Sequence, residues 1–212
     1  ELGHTVSPLP VIKIKKVEFK QPKLNDYSGI IFTSSNSIKK LNLDDFNKTL
    51  DCFCVGSITE KFARSAGFQN VMGANGNVRA LKELILQNFD KKKGKILYVS
   101  GATISFDLNS DLENEGYDVT RIINYSIDQN NEINEDIINE LKKNIPEVVY
   151  IYSENSAKCF LNIVKKFELI DVWMNTNLMC IGEKTSSVLN EVKWKKIFLF
   201  SPGEEEFLLY KV

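Results

Sequence analysis

Short apolar runs alternate with longer segments of helical period along almost the whole chain. Runs such as Gly29–Phe32, Phe53–Val55 and Lys95–Val99 are followed at once by a polar residue or glycine, which predicts buried strands. Between such runs, segments such as Val78–Phe89 place their apolar residues on one helical face. Strands and helices that alternate in this order are typical of parallel sheets covered by helices on both faces. The pattern therefore predicts an α/β fold.

The other elements follow the same pattern along the chain. The predicted strands lie at residues 29–32, 53–55, 71–72, 95–99, 118–123, 147–152, 178–181 and 197–200. The predicted helices lie at residues 35–41, 58–66, 78–89, 104–116, 133–141, 156–167 and 185–189, with a last helix from about Glu204.

Two short segments recur in the same order about 120 residues further along the chain. Phe32–Ser37 is echoed by Ile151–Ser156, and Cys54–Thr59 is echoed by Cys180–Thr185. A repeat of this length indicates duplication of a domain rather than a solenoid. We therefore predict two related, doubly wound parallel-sheet lobes of the flavodoxin-like type instead of one large sheet.

Two segments fit neither lobe and alternate apolar with polar residues, as extended strands do. We expect them to cross between the lobes as a two-stranded β-ladder linker. A double crossing resists twisting but permits bending, which suits a clamp that closes on a ligand. The predicted organisation is lobe A at residues 1–16 and 127–212, lobe B at residues 21–120, and linker strands at residues 12–20 and 119–127.

Small polar residues crowd the turns where predicted helices follow predicted strands. In open α/β sheets, ligands bind at these turns, outside the carboxyl ends of the strands. Serine, threonine and asparagine are ordinary caps at any single turn, but helix N-termini also offer unpaired N–H donors to anions. Five such turns predict that the rims of two facing lobes hold a large polyanion. The candidate binding residues are Thr33, Ser34, Ser35, Gly56, Ser57, Thr59, Gly101, Ala102, Ser153, Asn155, Gly182 and Thr185.

Composition and charge argue against several classes of partner. The chain of 212 residues has a formal net charge of −1, which does not favour nucleic acid. No apolar run approaches the roughly 20 residues of a membrane span. Arginine clamps cannot be the main anion-binding device, because the only arginines are Arg64, Arg79 and Arg121. The glycine-rich phosphate loops of ATPases and dehydrogenases are absent, so we expect no nucleotide cofactor.

The cysteines and the single histidine limit the chemistry further. Cys52, Cys54, Cys159 and Cys180 lack the paired spacing of a zinc site, and we interpret them as reduced core residues of a cytoplasmic protein. The only histidine, His4, lies at the start of the chain, which nearly excludes a serine–histidine or cysteine–histidine mechanism. We therefore predict no metal and no cofactor.

Seven segments of the chain, taken in order, resemble motifs of the uroporphyrinogen-III synthase family. Asp26–Ser34, for example, is similar to a family segment that reads D-Y-x-x-L-I-F-T-S. No single motif is specific, but their order and spacing are, and together they cover essentially the whole chain. The segments are Glu1–Pro10, Asp26–Ser34, Val55–Phe68, Gly94–Gly101, Gly116–Tyr125, Tyr152–Ser156 and Ile181–Thr185.

The resemblance implies a monomer of two lobes that acts on hydroxymethylbilane, a linear chain of pyrroles with acetate and propionate groups. The reaction is that of a cofactor-free lyase in haem biosynthesis: hydroxide leaves as water, and the ring closes with ring D inverted through a spiro intermediate. Tyr125 would assist departure of the hydroxyl group. Thr59 and Thr185, helped by Ser34 and Ser153, would bind substrate carboxylates. The resemblance also implies transient contact with the deaminase that precedes this enzyme.

The chain departs from the family pattern at three places. Glu154 stands where the family often has proline, and Lys184 stands where a small residue is common, which alters the rim of one lobe. The family normally has a strand and a helix before the segment that begins at Glu1. The chain also lacks an initiator methionine, so we expect these elements to be missing from lobe A.

Two other classes of function remain open on the residues alone. A non-catalytic two-lobed binder of an anionic small molecule needs the same polar rims but no chemistry. A duplicated signalling-type α/β module that binds a protein partner shares the repeated fold. Only a synthase converts hydroxymethylbilane to the inverted ring isomer, so the isomer that forms distinguishes a synthase from the other two classes.

Overall fold

The structure, a computed structural model, describes residues 5–23, 26–43, 47–75, 77–130, 133–201 and 204. By its internal contacts the chain divides into two compact units. Unit 1 comprises Glu1–Lys13 and Asp128–Val212, and unit 2 comprises Ile14–Ile127. His4 and the predicted last helix, beyond Glu204 itself, lie outside the described residues.

Strands and helices alternate along unit 2. The strands pair in the order β1-β6-β5-β2-β3-β4, and all pairs from β6 to β4 are parallel. β1 and β6 each extend across the division between the units. The elements are β1 (Ile12–Lys16), β2 (Tyr27–Phe32), α1 (Ser35–Lys39), β3 (Asp51–Val55), α2 (Gly56–Ser65), β4 (Asn70–Ala74), α3 (Val78–Asn88), a 3-10 helix (Lys91–Lys93), β5 (Lys95–Gly101), α4 (Leu108–Asn114) and β6 (Val119–Gln129).

A separate apolar cluster covers each face of this sheet, because successive residues of a strand point to opposite faces. On one face, Ile30 belongs to a cluster with Ile38 of α1 and Ala63 of α2. On the other face, Ile31 belongs to a cluster with Leu81 of α3. The strands are therefore buried on both sides, which explains why their sequences are nearly continuous apolar runs.

Unit 1 contains a parallel sheet with three strands among the described residues, in the order β7-β8-β9. Its core includes three aromatic rings: the centroid of Phe160 lies 5.2 Å from that of Trp173 and 6.1 Å from that of Trp194. The elements are α5 (Glu135–Lys143), β7 (Val148–Ile151), α6 (Glu154–Lys166), a 3-10 helix (Ile170–Asn175), β8 (Asn177–Ile181), α7 (Gly182–Ser187) and β9 (Lys196–Phe200).

The predicted α/β class with parallel sheets is confirmed, but five helices begin elsewhere than predicted. α5 begins at Glu135 instead of residue 133 and α6 begins at Glu154 instead of residue 156, because the side chains of Asn134 and Ser153 cap them. α2 begins at Gly56 instead of residue 58, and α7 begins at Gly182 instead of residue 185, because a glycine starts each helix directly at the end of a strand. α4 begins at Leu108 instead of residue 104, because the side chain of Asp107 caps it by accepting from the backbone N–H of Ser110 at 3.2 Å.

Candidate functional site

In unit 2 the predicted site residues follow strands that are neighbours in the sheet. Thr33, Gly56 and Gly101 lie at or directly after the ends of β2, β3 and β5, which run parallel in the order β5-β2-β3. Tyr125 of β6 is the register partner of Gly101. Parallel strands end at one edge of a sheet, so the structure brings these four residues to the same edge.

Helix α2 begins directly at the end of β3 without a capping side chain. Its first residue, Gly56, has a φ of +76°, and Val55 before it makes no side-chain bond to the helix. A left-handed φ costs other residues about 1–2 kcal/mol, which explains the glycine. The space where a Cβ would stand is open to 4 Å. The first N–H groups of α2 are therefore free of a side-chain cap and suited to an anion.

The start of α7 in unit 1 repeats this geometry. Gly182 has a φ of +68°, Ile181 before it makes no capping bond, and the space around Gly182 is equally open. The local structure therefore repeats together with the sequence, and each unit presents an uncapped helix start.

Thr59 and Thr185 occupy the same position of these two helices, three residues after the glycine. Only 5% of the surface of Thr59 and 3% of that of Thr185 are exposed. Within the described part of the chain, neither hydroxyl group makes a hydrogen bond. Neither hydroxyl oxygen is one of the fully buried polar atoms without a partner, so each keeps some accessible surface and can donate to a ligand oxygen.

Ser34 and Ser153 cap α1 and α6. The Ser34 hydroxyl accepts a hydrogen bond from the backbone N–H of Asn36 at 3.2 Å, and that of Ser153 accepts one from Ser156 at 3.0 Å. These hydroxyl groups are thus engaged by their own helices and have less capacity for a ligand. The other predicted residues of these turns are partly or fully exposed: Ser35, Ser57, Ala102 and Asn155.

Tyr125 is buried against the glycine at the end of β5. Only 6% of its surface is exposed. A Cβ atom on Gly101 would stand 2.7 Å from Cζ and 2.9 Å from the hydroxyl oxygen of Tyr125, closer than real contacts allow. The carbonyl of Tyr125 accepts a hydrogen bond from the N–H of Ala102 at 2.9 Å. The absence of a side chain at Gly101 therefore leaves the space that the phenol ring of Tyr125 occupies.

A second tyrosine, Tyr98 of β5, lies at the same edge but was not predicted as a site residue. Its hydroxyl oxygen lies 3.4 Å from Oγ1 of Thr33. Burial raises the pKa of Tyr98 above its ordinary value, so its phenol stays neutral at physiological pH. Tyr98 can therefore donate a hydrogen bond at this edge.

Arg121 of β6 is hydrogen-bonded to two residues at the end of β5. Its Nε donates to the Ser100 hydroxyl oxygen at 2.8 Å and its Nη2 donates to the Gly101 carbonyl at 3.0 Å. Its guanidinium carbon lies 5.9 Å from the centroid of the Tyr98 ring. We call the set of linked residues the β5-end cluster; its members are Thr33, Tyr98, Gly101, Arg121 and Tyr125.

The signal that could have revealed Tyr98 and Arg121 is a polar group inside a strand that is otherwise apolar. Tyr98 stands in the run Ile96–Val99, and Arg121 stands between Val119 and Ile122. A charge in a buried parallel strand needs specific partners, so it is a candidate for function.

Unit 1 also contains a groove of about 1380 Å³ beside the edge strand β7. The charged residues that line it, Asp136, Glu140 and Glu147, are all acidic. Carboxylates repel an anionic ligand, and none of the predicted binding residues lines the groove. The groove is therefore a different feature from the uncapped helix starts.

Two further features are absent from residues that the structure describes. No group of three or more histidine, cysteine, aspartate or glutamate side chains is placed to hold a metal ion. No helix there is long and apolar enough to cross a membrane.

The fold and the site define an α/β protein with parallel sheets and anion-suited turns at the carboxyl ends of its strands. The sequence model of the family described as uroporphyrinogen-III synthase HemD matches residues 1–201. The chain therefore belongs to the uroporphyrinogen-III synthase family. Among curated proteins, none matches the sequence.

Solved structures of such synthases resemble the fold. The uroporphyrinogen-III synthetase of Helicobacter pylori 26695 is 17% identical, with 99% of this chain and 96% of that chain covered and a TM-score of 0.67. A mutant synthase of the extreme thermophile Thermus thermophilus is 14% identical, with 95% and 86% covered and a TM-score of 0.49. At 17% identity the likeness to the Helicobacter pylori enzyme concerns the fold alone.

Membership of the family defines the reaction. The enzyme is a lyase that cyclises hydroxymethylbilane to uroporphyrinogen III in haem biosynthesis. Its substrate is a linear tetrapyrrole that carries several carboxylates.

Proposed function

We propose that the enzyme binds the acetate and propionate groups of hydroxymethylbilane at the helix starts of both units. The observation that carries the proposal is the pair of uncapped starts at Gly56 and Gly182, each followed by a buried threonine without a described protein partner. Backbone N–H groups and hydroxyl groups both donate to carboxylates. The proposed binding residues are Thr33, Ser34, Ser35, Gly56, Ser57, Thr59, Gly101, Ala102, Ser153, Asn155, Gly182 and Thr185.

Tyr125 is the proposed donor for the first chemical step. The C–O bond of the hydroxymethyl group breaks, and the leaving oxygen takes a proton from the phenol and departs as water. The pyrrole N–H then gives up its proton, which restores the phenol, and a neutral azafulvene remains. The Tyr125 hydroxyl makes no hydrogen bond to another described residue, so its proton is available to the leaving oxygen.

The later steps depend on the conformation of the substrate. The substituted carbon of ring D attacks the electrophilic azafulvene carbon, and the resulting spiro intermediate fragments and recloses with ring D inverted. Uncatalysed closure proceeds without inversion, so the enzyme must hold the chain in a conformation that favours the substituted carbon. Carboxylates fixed at several helix starts would achieve this.

The two units are proposed to be related lobes joined by a ladder of β1 and β6. The repeated glycine starts support a common origin of the units. Two backbone bonds support the ladder: the N–H of Val17 donates to Asn124 at 3.0 Å, and that of Asn130 donates to Val11 at 3.0 Å. The residue numbers change in opposite directions, as in antiparallel strands.

The function is tested by the isomer that forms. With hydroxymethylbilane generated in situ, we expect the enzyme to produce mainly the type III isomer, measured by chromatography after oxidation of the products. Only type I product at the background rate would contradict the synthase assignment. Saturable binding without type III product would instead favour a non-catalytic binder of an anionic molecule.

Replacing the two buried threonines tests the binding site. Thr59→Val and Thr185→Val keep the shape of the side chain but remove its hydroxyl group. We expect each to raise the KM for hydroxymethylbilane about tenfold, because a hydrogen bond to a charged group is worth about 1.5–3 kcal/mol. Initial rates of type III formation measure the change.

Thr176→Val is the matched control in unit 1. The Thr176 hydroxyl is also buried, but it donates to the Pro146 carbonyl at 2.8 Å. This variant should lose stability and keep its KM. If the KM of Thr59→Val and Thr185→Val stays at the wild-type value, the two threonines do not bind substrate.

We further propose that the enzyme acts as a monomer in the cytoplasm and receives its substrate through transient contact with the preceding deaminase. The four cysteines support a reducing compartment, because all are buried free thiols. Sedimentation of the pure enzyme tests the monomer, and a second species at working concentration would contradict it.

A further inference from the structure

Arg121 is a cation fixed in place by two bonds to the end of β5. A guanidinium group has five N–H donors, and the bonds to Ser100 and Gly101 use two of them. Within the described part of the chain, the remaining donors have no protein partner. Arg121 is therefore anchored on one side and available on the other.

The charge of Arg121 has no close counter-ion among the described residues. No carboxylate there forms a salt bridge with it, in contrast to Arg64, whose Nη2 lies 2.7 Å from Glu60. Arg121 lies near enough to Asp107 to affect the pKa of its carboxyl group, but that carboxylate already accepts hydrogen bonds from Ser110. Hydrogen bonds from the Ser110 hydroxyl at 2.7 Å and backbone N–H lower the pKa of Asp107, with Arg121 as a smaller cause. A half-buried, uncompensated guanidinium attracts an external anion.

The neighbours of Arg121 indicate what that anion is. The Gly101 carbonyl accepts a hydrogen bond from Arg121, and the ring of Tyr125 packs against the Cα of Gly101. The ring of Tyr98 lies beside the guanidinium group. A planar guanidinium binds a carboxylate through two parallel hydrogen bonds, which fixes its orientation as well as its position. We propose that Arg121 binds one acetate or propionate group of the linear tetrapyrrole beside Tyr125; this assignment rests on the function proposed above.

Unit 2 would then offer the substrate two different kinds of hydrogen-bond donor. The helix start at Gly56 offers neutral N–H donors, whereas Arg121 contributes a full charge at the end of β5. A carboxylate held by Arg121 orients the pyrrole ring to which it is attached. Arg121 therefore sets which part of the substrate lies against the Tyr125 hydroxyl.

Substitution of Arg121 tests this role against a purely structural one. Arg121→Gln removes the charge, and Arg121→Lys keeps the charge without the planar fork. We expect Arg121→Gln to raise the KM for hydroxymethylbilane about tenfold or more, with Arg121→Lys between it and the wild type. The wild-type KM should rise with ionic strength more steeply than that of Arg121→Gln, because salt screens only a charged contact.

Arg64→Gln is the matched control in the same unit, since Arg64 binds Glu60 and donates to the Val71 carbonyl at 2.7 Å. It should keep the wild-type KM and its dependence on salt. An Arg121→Gln enzyme with lowered thermal stability but an unchanged KM would overturn the proposal. Arg121 would then have only the structural role of linking β5 to β6.

Equilibrium binding separates this proposal from the proposed function. The probe is the porphyrin obtained by oxidising the type III product, which keeps the carboxylates of the tetrapyrrole; its fluorescence reports binding to each variant. We expect about tenfold weaker binding to Arg121→Gln than to the wild type or Arg64→Gln. Equal binding overturns the role of Arg121 even if type III product forms. Weaker binding supports that role even if the wild type forms only type I.

Discussion

Tyr125→Phe is expected to lower the rate of type III product formation about 100-fold, since a positioned acid contributes about 10²–10⁴-fold. The fold should be unaffected, because the Tyr125 hydroxyl has no hydrogen-bond partner among the described residues and its loss leaves none unpaired there. The measurement is kcat from the type III isomer alone, with the unfolding midpoint determined in parallel.

Tyr117→Phe is the control for this prediction. Tyr117 is also buried in unit 2, but its hydroxyl donates to the Phe89 carbonyl at 3.3 Å. We expect this variant to lose about 1 kcal/mol of stability and keep its kcat. A Tyr125→Phe enzyme that turns over like the wild type would remove the phenol from the mechanism and leave conformational selection to explain the rate.

Gly101→Ala is expected to reduce kcat by a factor similar to that of Tyr125→Phe, although it removes no hydrogen-bond donor. The added Cβ would lie 2.7 Å from Cζ of Tyr125, so the ring must move. Misplacement of a reacting group by about 1 Å can lower a rate about 100-fold. The KM should change less, because the substitution adds no charge and removes no hydrogen-bond donor. Initial rates over a range of substrate concentration separate the two constants.

Gly29→Ala provides a matched steric control. Its Cβ would lie 2.8 Å from a ring carbon of Phe89, and Gly29 pairs with the first residues of β3 and β5, at the opposite end of the strands. This variant should lose stability but keep the kcat of the folded enzyme.

A double variant shows whether Gly101 acts through Tyr125. If it does, Tyr125→Phe combined with Gly101→Ala should be no slower than the slower single variant, because groups that act as one unit give non-additive losses. If the fold-losses in kcat of the two single variants multiply in the double variant, Gly101 has a role of its own, such as admitting the substrate.

Helix starts illustrate how much of the site can be predicted from sequence. The strand-glycine-threonine pattern at Gly56 and Gly182 was recognised as a repeat, yet both helices were expected to begin further along. Sequence rules search for a side chain that caps the helix, and here a glycine with a positive φ begins each helix without one. Conversely, Ser34 and Ser153 matched the capping rule and do cap their helices, which limits what their hydroxyl groups can offer a ligand.

The β5-end cluster shows why the rest could not be predicted. Thr33 and Tyr98 are 65 residues apart in the chain, and Arg121 is 20 residues from Gly101. Their proximity depends on the order β6-β5-β2, in which β5 pairs with β2 although β3 and β4 lie between them in sequence. Periodicity is local and carries no information on strand order, so the cluster was not foreseen as a unit.

By itself, the sequence determined the α/β class, the places of the strands and helices, and the polar turns at strand ends, because hydrophobic periodicity and turn chemistry act over a few residues. The order of its motifs also indicated the synthase family. Only the tertiary structure decided which polar groups are engaged, which have no partner among the described residues, and which charge lies at the end of β5. Those properties depend on burial and on contacts between distant strands, which arise only when the sheet has formed.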